Sequence, residues 1–94
     1  MHESRERPTR VRVNRKKLWD AQGGICAICG LQLDLTAKYP NAMAAVGDHI
    51  VPLARGGANT EWNIALTHSL CNILKGSRLM SEIDQSKMAD RIRL

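Results

Sequence analysis

Hydrophobic positions in this chain come in short bursts separated by charged and glycine-rich stretches. Leu18 and Trp19 interrupt a basic run that Asn14 can cap as a short helix through about Gln22, before Gly23-Gly24 stops it. Leu31, Leu33 and Leu35 alternate with polar neighbours, the period of a short strand, and residues 36 to 42, with Pro40-Asn41, read as loop. Met43 to Val51 predicts a buried strand ended by Pro52. Arg55-Gly56-Gly57-Ala58-Asn59 is a turn, Asn63 to Leu66 a second short strand, and Ser69 to about Leu79 a helix. Ser81 with Asp84 three residues on has the form of a capping box for a last helix, Glu82 to about Arg91. Trp19, Trp62, Met43, Met80 and Met88 are expected to pack.

That pattern offers little core. With 94 residues, no Phe, one Tyr and two Trp, the chain fits a single small domain that buries only about 60 to 65% of its unfolded surface. A staple is expected, and metal is the natural one. Three cysteines exclude a fully paired disulfide framework, and no apolar run is long enough for a signal peptide or a membrane span. The expected setting is reducing and cytoplasmic, where Cys26-Ala27-Ile28-Cys29 is a metal knuckle or a redox pair. The redox version calls for a surrounding βαβ pattern, which is missing from the sequence.

Charge adds a polarity along the chain. Half of the 14 Lys and Arg residues, namely Arg5, Arg7, Arg10, Arg12, Arg15, Lys16 and Lys17, fall in the first 17 positions, within a net charge of +5. Residues 1 to 13 read as an extended basic arm ahead of a domain at 14 to 94. Such an arm suits a polyanion, because each phosphate it neutralises releases counterions; the plainer alternative is a solvated tail.

Two sets of candidate ligands then stand out. Cys26 and Cys29 are matched at the same spacing by His68 and Cys71, which completes the Cys3His set that structural zinc prefers. Gly30 supplies the backbone freedom for amides to approach a thiolate. The alternative is three small buried cysteines. The second set, Asp48, His49, Asn63 and Asn72, offers hard oxygens and one imidazole, which suits a Mg2+-type ion beside a general base. Adjacent strand residues point to opposite faces, so Asp48 and His49 divide the work: one binds an ion and one takes a proton.

Asp48-His49-Ile50-Val51-Pro52-Leu53, the Gly56-Gly57 turn, Asn63, and Cys71-Asn72 with Lys75 closely resemble the HNH endonuclease family, over about residues 14 to 78. The resemblance implies a small α+β, zinc-stapled ββα-metal fold with flanking helices, hydrolysing DNA phosphodiester bonds. It implies His49 as general base, Asp48 and Asn72 as ligands of one catalytic divalent cation (Mg2+, Mn2+ or a transition metal), and Asn63 as the brace of the histidine loop. Cys26, Cys29, His68 and Cys71 would hold structural Zn2+. Arg10, Arg12, Arg15, Lys16, Lys17, Arg55, Lys75 and Arg78 are the cations expected to meet DNA. Phage packaging or restriction proteins are the expected partners, with no membrane.

The chain departs from the family pattern at Asn72, where the last letter is usually His, and at His68, where many zinc-bearing relatives have Cys. A rival assignment follows, in which His68 and Asn72, four apart, both face the catalytic ion and leave three cysteines for zinc. The competing function is a zinc-bound DNA-binding module, or a subunit of a larger DNA-processing assembly, with the Asp-His pair unused.

Overall fold

The computed structural model describes residues 13–93, so Arg10, Arg12 and the rest of the basic arm up to position 12 lie outside the described residues. Among those described, the element order is helix α1 (Arg15–Ala21), strands β1 (Ala45–His49) and β2 (Ile64–His68), helix α2 (Ser69–Lys75) and helix α3 (Gln85–Arg93), with short 3-10 turns at Leu53–Arg55, Glu61–Asn63 and Met80–Glu82. The two strands pair antiparallel with Ala45 opposite His68 and His49 opposite Ile64. This is the ββα core, and α2 follows β2 without a connecting residue.

Local chemistry explains most boundaries. Asn14 accepts a hydrogen bond from Lys17 N at 3.0 Å, capping α1. The last helix begins one turn later than the sequence suggests: Asp84, not Ser81, takes the cap position, accepting from Ser86 N at 3.1 Å and Lys87 N at 3.3 Å. Glu82 instead turns back to Leu79 N at 2.8 Å and closes the preceding 3-10 turn. α2 ends at Lys75, short of the expected Leu79, because Gly76 adopts a left-handed φ of 57°.

The alternating leucines do not make a strand. Around them the backbone forms isolated bridges, Ile25 to Gln32 and Asp34 to Ala44, while Leu33 is buried and Leu31 and Leu35 pack at the core's margin. No ladder extends through them, because the chain turns around the Cys26–Cys29 knuckle, with Cys26 N donating to Leu31 O at 2.8 Å.

Among the described residues, three of the nine in the buried core cluster are the cysteines, beside Ile28, Leu33, Ala45, Leu66, Met88 and Ala89. The apolar core is therefore built around the sulfur cluster. Trp19 packs on it and reaches Leu33 O with its indole N–H at 3.4 Å, but Trp62 does not pack: it is 78% exposed. Gln22, just past α1, clamps the free edge of β2, accepting from Leu66 N at 2.7 Å and donating to Leu66 O at 3.0 Å. No helix among the described residues is long and apolar enough to cross a membrane.

Candidate functional site

The first site grows out of the knuckle and the β2–α2 junction. Cys26 and Cys29 come from the turn, His68 from the end of β2, and Cys71 from the first turn of α2. Their ligand atoms all lie within 4.8 Å of one another and all four residues are buried. His68 Nδ1 stands 3.4 Å from Cys29 Sγ and 3.8 Å from Cys71 Sγ. Those separations match the edges of a tetrahedron, about 3.6 Å for zinc-type bond lengths. The far ring nitrogen, Nε2, lies 3.0 Å from Gln32 O; as N–H donor there it leaves Nδ1 for a metal. The geometry thus groups His68 with the three cysteines.

The backbone supports negative charge on the sulfurs. Ile28 N, Cys29 N and His68 N approach Cys26 Sγ at 3.4, 3.5 and 3.4 Å, and Leu31 N approaches Cys29 Sγ at 3.4 Å. Gly30, at φ 80°, gives the turn that delivers the last of these. A hydrogen bond from Cys71, helped by these amides against burial, holds the Cys26 thiol down to about 4. The same contact with Cys26 pushes Cys71 up, and burial pushes Cys29 up. One negative charge is favoured on Cys26, and a divalent cation bound among these sulfurs would favour ionisation of the other two thiols.

The second site lies at the other end of the β1–β2 ladder. Asp48 and His49 project to opposite sides of β1, as strand geometry requires. Asp48 faces α2, where Lys75 Nζ stands 3.2 Å from its Oδ2. Burial raises the Asp48 carboxyl above its usual range, outweighing the opposing pull of Lys75. His49 faces the following loop, its Nε2 3.0 Å from Asn59 Oδ1.

That loop is held by Asn63. Its amide donates to Val51 O at 3.0 Å and Ala58 O at 2.7 Å, and its Oδ1 accepts from Val51 N at 3.0 Å, so one side chain ties both ends of the 51–58 segment together. The closure is tight enough that a Cβ on Gly57 would lie 1.8 Å from Val51 O, which leaves glycine as the residue that fits. Asn72 is half-buried, next to Cys71 on α2. Lys75 follows Cys71 by four residues and Asn72 by three, so it projects between their directions, toward β1.

The expected DNA-facing cations divide. Lys75 is buried, with its ammonium on Asp48 and on His49 O at 3.1 Å, so it is part of the site's interior and not of its surface. Arg78 is exposed but folds back on α2, donating to Leu74 O at 2.7 Å and Lys75 O at 3.2 Å. Arg55 pairs with Glu82 at 3.1 Å. Arg15, Lys16 and Lys17 stand exposed on α1. Asn59 and Gln22 were not legible as positioning residues: neither belongs to a motif, and only the fold brings them to their partners.

The family model for HNH endonuclease matches residues 26–78, which spans the cysteine knuckle, both strands, the braced loop and α2. No curated protein matches the chain. With more than half of its length matched, and with a ββα core carrying a Cys3His cluster beside the Asp-His strand, the chain belongs to the HNH endonuclease family.

Proposed function

We propose that this protein is a divalent-metal-dependent DNA endonuclease, with His49 as general base, Asp48 and Asn72 as ligands of one catalytic ion, and structural zinc at Cys26, Cys29, His68 and Cys71. The observation that carries this reading is the division at β1: Asp48 turned into the α2 interface and His49 turned onto the braced loop. A binding module needs neither a histidine held at a fixed angle nor a buried carboxylate next to it.

The residues fit the two metals differently. Three thiols and an imidazole form a closed set that leaves no ligand position for substrate, so zinc there is structural. Asp48 and Asn72 supply hard oxygens for an ion that, when bound, stabilises charge developing on the phosphate and on the leaving 3′ oxygen. His49 draws its role from its tautomer. With Nε2–H donating to Asn59 Oδ1, the lone pair sits on Nδ1, which takes a proton from the attacking water. Asn63 acts through the loop, keeping Asn59 at hydrogen-bonding distance from His49. Asn72 on a helix anchored by Cys71 inherits its direction from the zinc set.

A plasmid-nicking assay in Mg2+, Mn2+, Ni2+ and Zn2+ tests the activity. Cleavage in at least one ion, abolished by chelation, is expected; DNA binding with no cleavage in any ion would favour the binding-module reading. A His68→Cys change is expected to retain zinc and most of the nuclease activity, since cysteine satisfies the same ligand position. Full zinc retention with activity at background would move His68 to the catalytic ion.

The basic arm and α1 are assigned to phosphate contacts. Deleting residues 1 to 12 removes Arg5, Arg7, Arg10 and Arg12. The deletion should flatten the salt dependence of DNA binding by up to about four counterion units, at roughly 0.9 per phosphate contact. An unchanged slope would show the arm to be a solvated tail. Lys75 drops out of this set, and Arg55 and Arg78 contribute only by leaving their present acceptors.

A further inference from the structure

We infer that Lys75 is a built-in competitor for the carboxylate that holds the catalytic ion, and that it keeps the ion affinity of Asp48 low. The inference rests on the reading of Asp48 as an ion ligand.

A lysine side chain is rarely buried without partners, and the Lys75 side chain is only 1% exposed. Both of its acceptors belong to the Asp48-His49 dipeptide: Asp48 Oδ2 at 3.2 Å and His49 O at 3.1 Å. The ammonium therefore already neutralises the one charged oxygen donor proposed for the ion, since Asn72 is a neutral amide. Besides Lys75, the ionisable groups that bear on Asp48 are His49 and Cys26, and Cys26 belongs to the sulfur cluster. A divalent cation arriving at Asp48 meets a like charge in a low-dielectric interior, where repulsion is strong. Either the ammonium leaves Oδ2 or the ion stays weakly held. An ion affinity limited in this way is set by Lys75, a residue that lies one turn beyond the last letter of the motif.

The test measures Mn2+ binding to the zinc-loaded full chain by the free-ion electron paramagnetic resonance signal, with no DNA present. Lys75→Gln keeps a donor and loses the charge, Lys75→Met loses both, and Lys75→Arg keeps the charge. The two neutral variants should bind Mn2+ at least about tenfold more tightly, and the arginine variant should match the wild type. Unchanged or weaker Mn2+ binding in both neutral variants would overturn the inference. Wild-type protein gives a second measurement that needs no substitution: acetic anhydride should modify Lys75 slowly compared with exposed Lys38, and saturating Mn2+ should raise Lys75 modification as the ammonium is released. Protection of Lys75 unchanged by Mn2+ would also overturn it. Asp48→Asn separates this inference from the reading beneath it. Mn2+ affinity that Asp48→Asn leaves intact sinks Asp48 as an ion ligand, whereas affinity lost in Asp48→Asn but unmoved in Lys75→Gln sinks the competition alone.

Discussion

Cys29→Ala is expected to unfold or aggregate the protein. Cys29 is both a candidate zinc ligand and one of the nine buried residues at the centre of the core, so its loss removes a metal bond and opens the middle of the packing. Structural zinc contributes apparent binding free energies of about 10 to 16 kcal/mol, and that energy is folding energy when the site exists only in the folded chain. A domain of this size has a net stability of about 5 to 15 kcal/mol, so the metal term alone can exceed it. Purified wild-type protein should carry one tightly held zinc per chain by metal analysis, and strong chelation should abolish its cooperative thermal transition. Cys29→Ala should lose both. Metal-free protein with unchanged circular dichroism and melting temperature would contradict the assignment.

The sulfur cluster is legible in the sequence because soft-ligand chemistry shows in residue spacing. Two soft-ligand pairs at equal spacing predicted the cluster that the fold assembles, and the Asn14 cap and the glycine stops predicted α1 closely. The failures have physical causes. Alternating Leu31, Leu33 and Leu35 look like a strand, but the knuckle consumes the backbone hydrogen bonds that a ladder would need, and only isolated bridges form. Trp62 was expected inside on hydrophobicity alone, and the 3-10 turn that carries it points it to solvent. Lys75 is among the cations expected to meet DNA, yet it is buried. Its burial is a tertiary fact, created when α2 packs Lys75 against the Asp48 strand, and no local signal in the sequence announces it. Asn59 and Gln22 escaped for the same reason: each is an ordinary amide until the fold brings its partner, ten residues away in one case and on another element in the other.

His49→Ala carries the second large effect, and it separates chemistry from folding. The imidazole is half-buried at the end of β1, contacts Asn59 and lies outside the nine-residue core, so its removal should leave zinc content, melting behaviour and DNA affinity near those of the wild type. Loss of a positioned general base costs typically 100- to 10,000-fold in rate, so cleavage should fall by at least about 100-fold. Asp48→Ala should behave differently, losing ion affinity together with turnover, and added Mg2+ or Mn2+ should recover part of its activity but none of the histidine variant's. Asn63→Ala, which loosens the loop and leaves the imidazole in place, should fall between the two.

The most direct measurement is therefore the single-turnover cleavage rate of His49→Ala beside wild type, on supercoiled plasmid with enzyme in excess, in whichever divalent ion supports the wild-type reaction. The account predicts equal DNA binding and zinc content with a rate at least about 100-fold lower. A wild-type rate in the variant, in every ion tried, would contradict it.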